Sequence, residues 1–236
     1  MELCEYLKSQ DDLLKINKSH REIKCHNYHD LLILKYNYNQ LNNNSLKWKR
    51  YCRGAVIDKN NKKIVMIPPI KAKEISLDKI KQYDGIENII FKELIDGIMI
   101  NIFYDHSKKE WKMSTRSEIN CKNKWNKKSF RDLFYECYPE FSFNLLDTDK
   151  TYSFIMKHKS NRIISPVEKN IVILVEVRDQ ESYDSLNLDD INLGCEKIQN
   201  VSYEVVKSNL ENKNLFFGIK GYTFYDKNER YKIINE

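Results

Sequence analysis

Short runs rich in β-branched and aromatic residues, each bounded by polar or turn-forming ones, recur through this 236-residue chain and limit its fold more than any other feature. They predict strands at Asp30–Tyr38, Gly54–Asp58, Lys63–Ile67, Asn88–Ile95, Ile98–Tyr104 and Trp111–Thr115, and again at Tyr152–Met156, Arg162–Ser165, Ile171–Val177, Gly221–Tyr225 and Arg230–Ile234. Helical patterns fall at Glu2–Ile16, around Phe130, Leu133, Phe134 and Cys137, and over Cys195–Leu210. Strand runs broken by grouped helices, without strict alternation, predict an α+β architecture on antiparallel sheets. Only six Gly and four Pro punctuate the chain, so residues 1–236 read as one domain without linker or repeat.

Fifteen Tyr and ten Phe argue against disorder. No apolar run approaches the roughly 20 residues of a membrane span, and MELCEYLKSQDDLL carries acids where a signal peptide needs basic and then apolar residues. Six cysteines without paired spacing predict reduced thiols and a cytoplasmic protein. Cys25, His26 and His29 lack a second ligand pair, so no structural metal is expected. The net charge of +6 permits a polyanionic partner without requiring one.

Several short segments carry more chemistry. In order they are Tyr36-Asn37-Tyr38, YCRGAVID (Tyr51–Asp58), ELIDGIMINIFYD (Glu93–Asp105), Thr115-Arg116-Ser117, SFIMKHKSNRII (Ser153–Ile164) and IKGYTFYDKNERYKII (Ile219–Ile234). Together they resemble the signature of covalent nucleotidyltransferases, in particular the bacteriophage-type tRNA-repair RNA ligases. The resemblance implies the ATP-grasp-like adenylation fold of ligases. It also implies a lysine amine that attacks the α-phosphate of ATP to give a lysyl-AMP, glutamates that hold ribose and Mg2+, and late lysines that steady the α-phosphate.

Against that pattern, key groups are missing. The nucleophile position before Asp96-Gly97 is Leu94, which cannot form a phosphoramidate. The glutamate expected six residues before Asn161 is Ile155, and the one expected before Gly221 is Lys220. The closing KxK element is Lys232-Ile233-Ile234, so its second lysine is Ile234, and Ala72 stands for a lysine in PPIKAKEI. The expectation is a pocket refilled by apolar side chains, with adenylylation and ligation lost. The chain would then act as an RNA- or nucleotide-binding or accessory protein in RNA repair or processing, with RNA or a protein as partner. The competing reading is an active ATP- and Mg2+-dependent ligase whose nucleophile is Lys92, two residues from Leu94 and on the same strand face.

The retained candidates for nucleotide contact are Tyr38, Arg53, Asp96, Gly97, Arg116, Gly221 and Lys232. Each has a structural alternative, since Asp-Gly is also a strong hairpin turn. Basic stretches with aromatic neighbours, Lys47-Trp48-Lys49-Arg50, Lys122–Lys128 with Trp125, and Lys157–Arg162, are candidates for an RNA backbone and its bases. The phage relatives continue into a helical C-terminal domain, and the resemblance leads to the expectation that this chain lacks one.

Overall fold

The structure, a computed structural model, describes residues 1–37, 46–84, 86, 89–125, 127–161, 167–211 and 220–234. The chain opens with helix α1 (Glu2–Lys8), whose Leu3 and Leu7, four apart, are fully buried. The helix expected over Glu2–Ile16 breaks at Ser9. The Asp12 carboxylate accepts from the Leu14 amide at 2.9 Å and starts a separate 3-10 turn, Leu13–Lys15, that runs into α2 (Ile16–Ser19).

Strands β1 (Ile23–Tyr28), β2 (Leu31–Tyr36), β3 (Arg53–Asp58) and β4 (Lys63–Met66) form one antiparallel sheet in sequence order. The run DLLILKYNY lacks polar alternation because both faces of β2 are covered. Leu32 and Leu34 pack with α1 and α2, and Leu31 and Ile33 pack with Val56, Met66 and Phe103 on the other side.

The remaining strands are β5 (Lys73–Glu74), β6 (Phe91–Glu93), β7 (Ile98–Asp105), β8 (Glu110–Ser114), β9 (Lys124–Trp125), β10 (Lys128–Ser129), β11 (Lys150–Lys157), β12 (Ile171–Asp179), β13 (Glu196–Lys197), β14 (Asn200–Val201), β15 (Gly221–Asp226) and β16 (Glu229–Ile234). They make two five-stranded sheets, ordered β13-β12-β11-β7-β8 and β14-β6-β15-β16-β5, and the hairpin β9-β10. Pairing is antiparallel except for β12 with β13 and β16 with β5. The second sheet buries Ile100, Ile102, Phe154 and Met156 against Leu133 and Phe134 of α4 (Phe130–Cys137). That helix starts at a capping box between Ser129 and Asp132. The third sheet buries Phe91, Tyr222, Phe224 and Ile233 against Val206 and Leu210.

Two further expectations are corrected. The segment Cys195–Leu210 is not one helix: β13 and β14 occupy its first half, and helix α5 covers Tyr203–Glu211. Of the long strand expected over Asn88–Ile95, the described residues 89–95 form a strand only at β6, and Asn88 lies outside the described residues. The strand expected at 162–165 lies outside the described residues.

Candidate functional site

A cavity of about 550 Å³ is walled by β6, β11, β12 and β15, with side chains from β3 and β16. Thr223 of β15 is opposite Lys92 of β6 in the antiparallel register, and both line the space. The chain leaves β6 at Leu94, whose amide donates to the Gly221 carbonyl at 2.8 Å. Lys92, Glu93, Leu94 and Ile95 all line the cavity, as does Ile155 on β11. Lys92 and Leu94 therefore share a wall.

The expectation of a refilled pocket is overturned. Leu94 and Ile155 form only part of the lining, and the space beside them stays open. Much of the rest of the wall is charged, with Arg53, Lys92, Glu176, Arg178 and Arg230 lining the same space.

These five charges divide into two sets. Glu176 and Arg178, two residues apart on β12, are joined at 2.6 Å, and the Tyr225 hydroxyl donates to the other Glu176 oxygen at 2.8 Å. Burial pushes the Glu176 carboxyl up, but Arg178, Arg230 and Tyr225 outweigh it and hold the group below its ordinary value. Arg178 also donates to the Tyr183 carbonyl at 2.8 Å.

Arg53, Lys92 and Arg230 make up the other set. Arg53 donates to the Pro69 carbonyl at 3.1 Å and Arg230 to the Ile70 carbonyl at 3.2 Å. Among the described residues, no carboxylate lies within ion-pair distance of any of the three. Burial lowers the Lys92 ammonium below the usual lysine value, with Arg230 adding to the effect and Glu176 opposing it. Burial likewise lowers Arg53, and its repulsion from Arg230 and Arg116 contributes.

The other described motif positions do not line this space. Asp96 pairs with Lys220 at 3.0 Å, so the two groups the resemblance places beside nucleotide and metal engage each other. Lys232 pairs with Glu74 at 2.8 Å, and Ile234 is exposed. Arg116 lies over the Tyr36 ring at 4.5 Å and donates to the Tyr36 carbonyl at 3.2 Å. The glycines have steric duties. At Gly97 (φ +154°) a Cβ would lie 2.6 Å from both the Ile155 side chain and the Met156 carbonyl. At Gly221 (φ +144°) it would collide with the Ile233 carbonyl of the paired strand. Tyr38 and Arg162 lie outside the described residues.

The basic stretch at residues 47–50 is buried for the most part. Trp48 stacks on Tyr6 with centroids 3.7 Å apart and offers no face to a base. Lys49 is paired with Glu22, and Arg50 with Glu229, so these cations tie the 3-10 turn Lys47–Tyr51 into the fold. Only Lys47 of the four is exposed. Lys157 is half-buried at the end of β11, its carbonyl accepting from the Cys137 thiol at 3.4 Å. Lys122, Lys124 and Lys127 remain exposed around the β9-β10 hairpin.

Glu176, Arg178, Tyr225 and Arg230 were not singled out by motif reasoning. The signal in the sequence was ILVEVRD, where two opposite charges two apart interrupt an apolar strand.

No protein-family model matches the chain. It is 25% identical over 196 residues to an RNA ligase of Rhodothermus phage RM378, a match covering 66% of this chain and 43% of that protein. Its fold is similar to that of a putative ATP-dependent DNA ligase from Aquifex aeolicus (TM-score 0.61, 17% identity, 94% of this chain and 62% of that one). An archaeal ATP-dependent RNA ligase is equally similar (TM-score 0.61, 14% identity, 100% of this chain and 64% of that one). The chain spans less than two thirds of the length of each. Among the described residues, no helix is long and apolar enough to cross a membrane. Sequence similarity and sheet architecture agree, and the chain has a mixed α+β fold resembling the nucleotidyltransferase fold of ATP-dependent RNA ligases.

Proposed function

We propose that the chain binds a nucleotide such as ATP in the charged cavity without forming a lysyl adduct, and serves as an RNA- or nucleotide-binding accessory component of RNA repair or processing. One observation carries this reading: an open cavity of about 550 Å³ is lined by Arg53, Lys92 and Arg230, none of which has a carboxylate paired to it among the described residues. Its volume suits a small ligand, and guanidinium groups favour phosphate. Leu94 at the nucleophile position speaks against the covalent step. The exposed lysines 122, 124 and 127 are the part of the basic surface still open to an RNA backbone. Calorimetric titration with ATP should give saturable binding at one site, lost in the double variant Arg53→Ala, Arg230→Ala. No binding to the folded wild-type chain would refute the reading.

A second reading has one observation in its favour. The Lys92 amine lines the same wall as Leu94, and burial raises its neutral, nucleophilic fraction. It predicts that a denatured sample incubated with ATP and Mg2+ gains the mass of one AMP, and that Lys92→Arg abolishes the gain.

A further inference from the structure

We infer that this cavity takes nucleotide phosphates free of a divalent cation, with Arg53, Lys92 and Arg230 supplying the positive charge that a metal ion would bring. The inference rests on the nucleotide-binding reading above and concerns the form in which the ligand enters.

The donor set in and around the cavity does not fit magnesium, which asks for carboxylate oxygens in octahedral geometry alongside the phosphates. Both oxygens of Glu176 are engaged, one by the Arg178 guanidinium at 2.6 Å and the other by the Tyr225 hydroxyl at 2.8 Å. Glu2 at the cavity edge accepts from the Tyr51 hydroxyl at 3.0 Å. The two positions at which the resemblance expects metal-holding glutamates are Ile155, which has no donor, and Lys220, which is a cation. Lys220 also draws Asp96 into an ion pair at 3.0 Å, and so occupies a carboxylate on the neighbouring loop. Among the described residues, no group of three or more His, Cys, Asp or Glu side chains is assembled to hold an ion. The carboxylates left on the wall are Glu93, on the same short strand as Lys92, and the exposed Asp184 after β12, on separate elements.

Charge points the same way. A dication placed among Arg53, Lys92 and Arg230 meets three like charges in a partly desolvated space, where repulsion is stronger than in water. The metal-free triphosphate carries about two more negative charges than its magnesium complex and gains more from the same three cations. The cavity cations Arg53, Lys92 and Arg230 thus stand in place of the metal as counter-charge.

The test is calorimetric titration of the full chain with ATP, once in EDTA and once in excess magnesium chloride, at matched ionic strength. Binding should be roughly tenfold tighter in EDTA, the size expected when one or two partly screened charge contacts are lost. Equal or tighter binding in magnesium would overturn the inference while leaving nucleotide binding intact. Binding in neither buffer would overturn the nucleotide-binding reading, and the inference with it.

Discussion

Glu229 at the start of β16 accepts from both Arg50 and Lys73, and so fastens the turn Lys47–Tyr51 and strand β5 to the sheet that walls the cavity. Its bond to Arg50, against some opposition from burial and with help from Lys73, brings its carboxyl down from 4.5 to about 2. A difference of that size corresponds to about 3 kcal/mol of stability. The direct cost of removing one partner from a buried pair is of the same order, about 3–5 kcal/mol. The Glu229 side chain is 22% exposed and that of Arg50 7%, so solvent screening trims the effect without abolishing it. Glu229→Gln should therefore lose about 2–3 kcal/mol in urea unfolding near neutral pH. The pH dependence has a defined sign. A depressed carboxyl contributes its stability in full above the ordinary value of 4.5 and loses it as pH falls toward about 2. The gap between wild type and variant should hold above that range and close within it. A loss under about 0.5 kcal/mol, typical of an exposed pair, or a gap that does not change on acidification, would refute the reasoning.

Three further outcomes follow from the geometry. Gly221→Ala should destabilise the chain by at least about 1–3 kcal/mol in thermal or urea unfolding, because the new Cβ meets the Ile233 carbonyl at a positive φ; a neutral effect would remove the steric account of that glycine. Glu176→Ala should cost about 3–5 kcal/mol by stranding Arg178, and Glu176→Gln should cost less because it keeps an acceptor for Tyr225; equal losses would contradict this. Arg53→Ala should weaken ATP binding about tenfold or more while leaving the unfolding midpoint nearly unchanged, since its protein partners are one carbonyl and a thioether; a large fall in stability would recast Arg53 as structural.

Much of the fold was legible because the signals were local. The strands β2, β3, β4, β7, β11 and β12 came from apolar runs, and α4 from four apolar residues at helical spacing. What failed depended on partners distant in sequence. Strand β1, IKCHNY, is mostly polar and becomes a strand by pairing with β2. The segment after Cys195 bends into two short edge strands because β12 and β6 offer it hydrogen-bonding edges. At the site, Lys92, Leu94 and Ile155 could be placed from motif spacing. Arg230 and Tyr225 reach the cavity only through the pairing of β15, β16 and β6, and Trp48 looked available for RNA until Tyr6 covered it. The refilled pocket was a plausible reading of two apolar replacements, but the charged strand β12 holds the other wall apart.

The measurement that tests the account most directly is a pair of mass spectra of the ATP-incubated chain, one under native and one under denaturing conditions. The account predicts one bound nucleotide in the native spectrum and the unmodified chain mass after denaturation. An AMP that survives denaturation would contradict the non-covalent reading and point to Lys92, and a native spectrum without nucleotide would contradict the binding site itself.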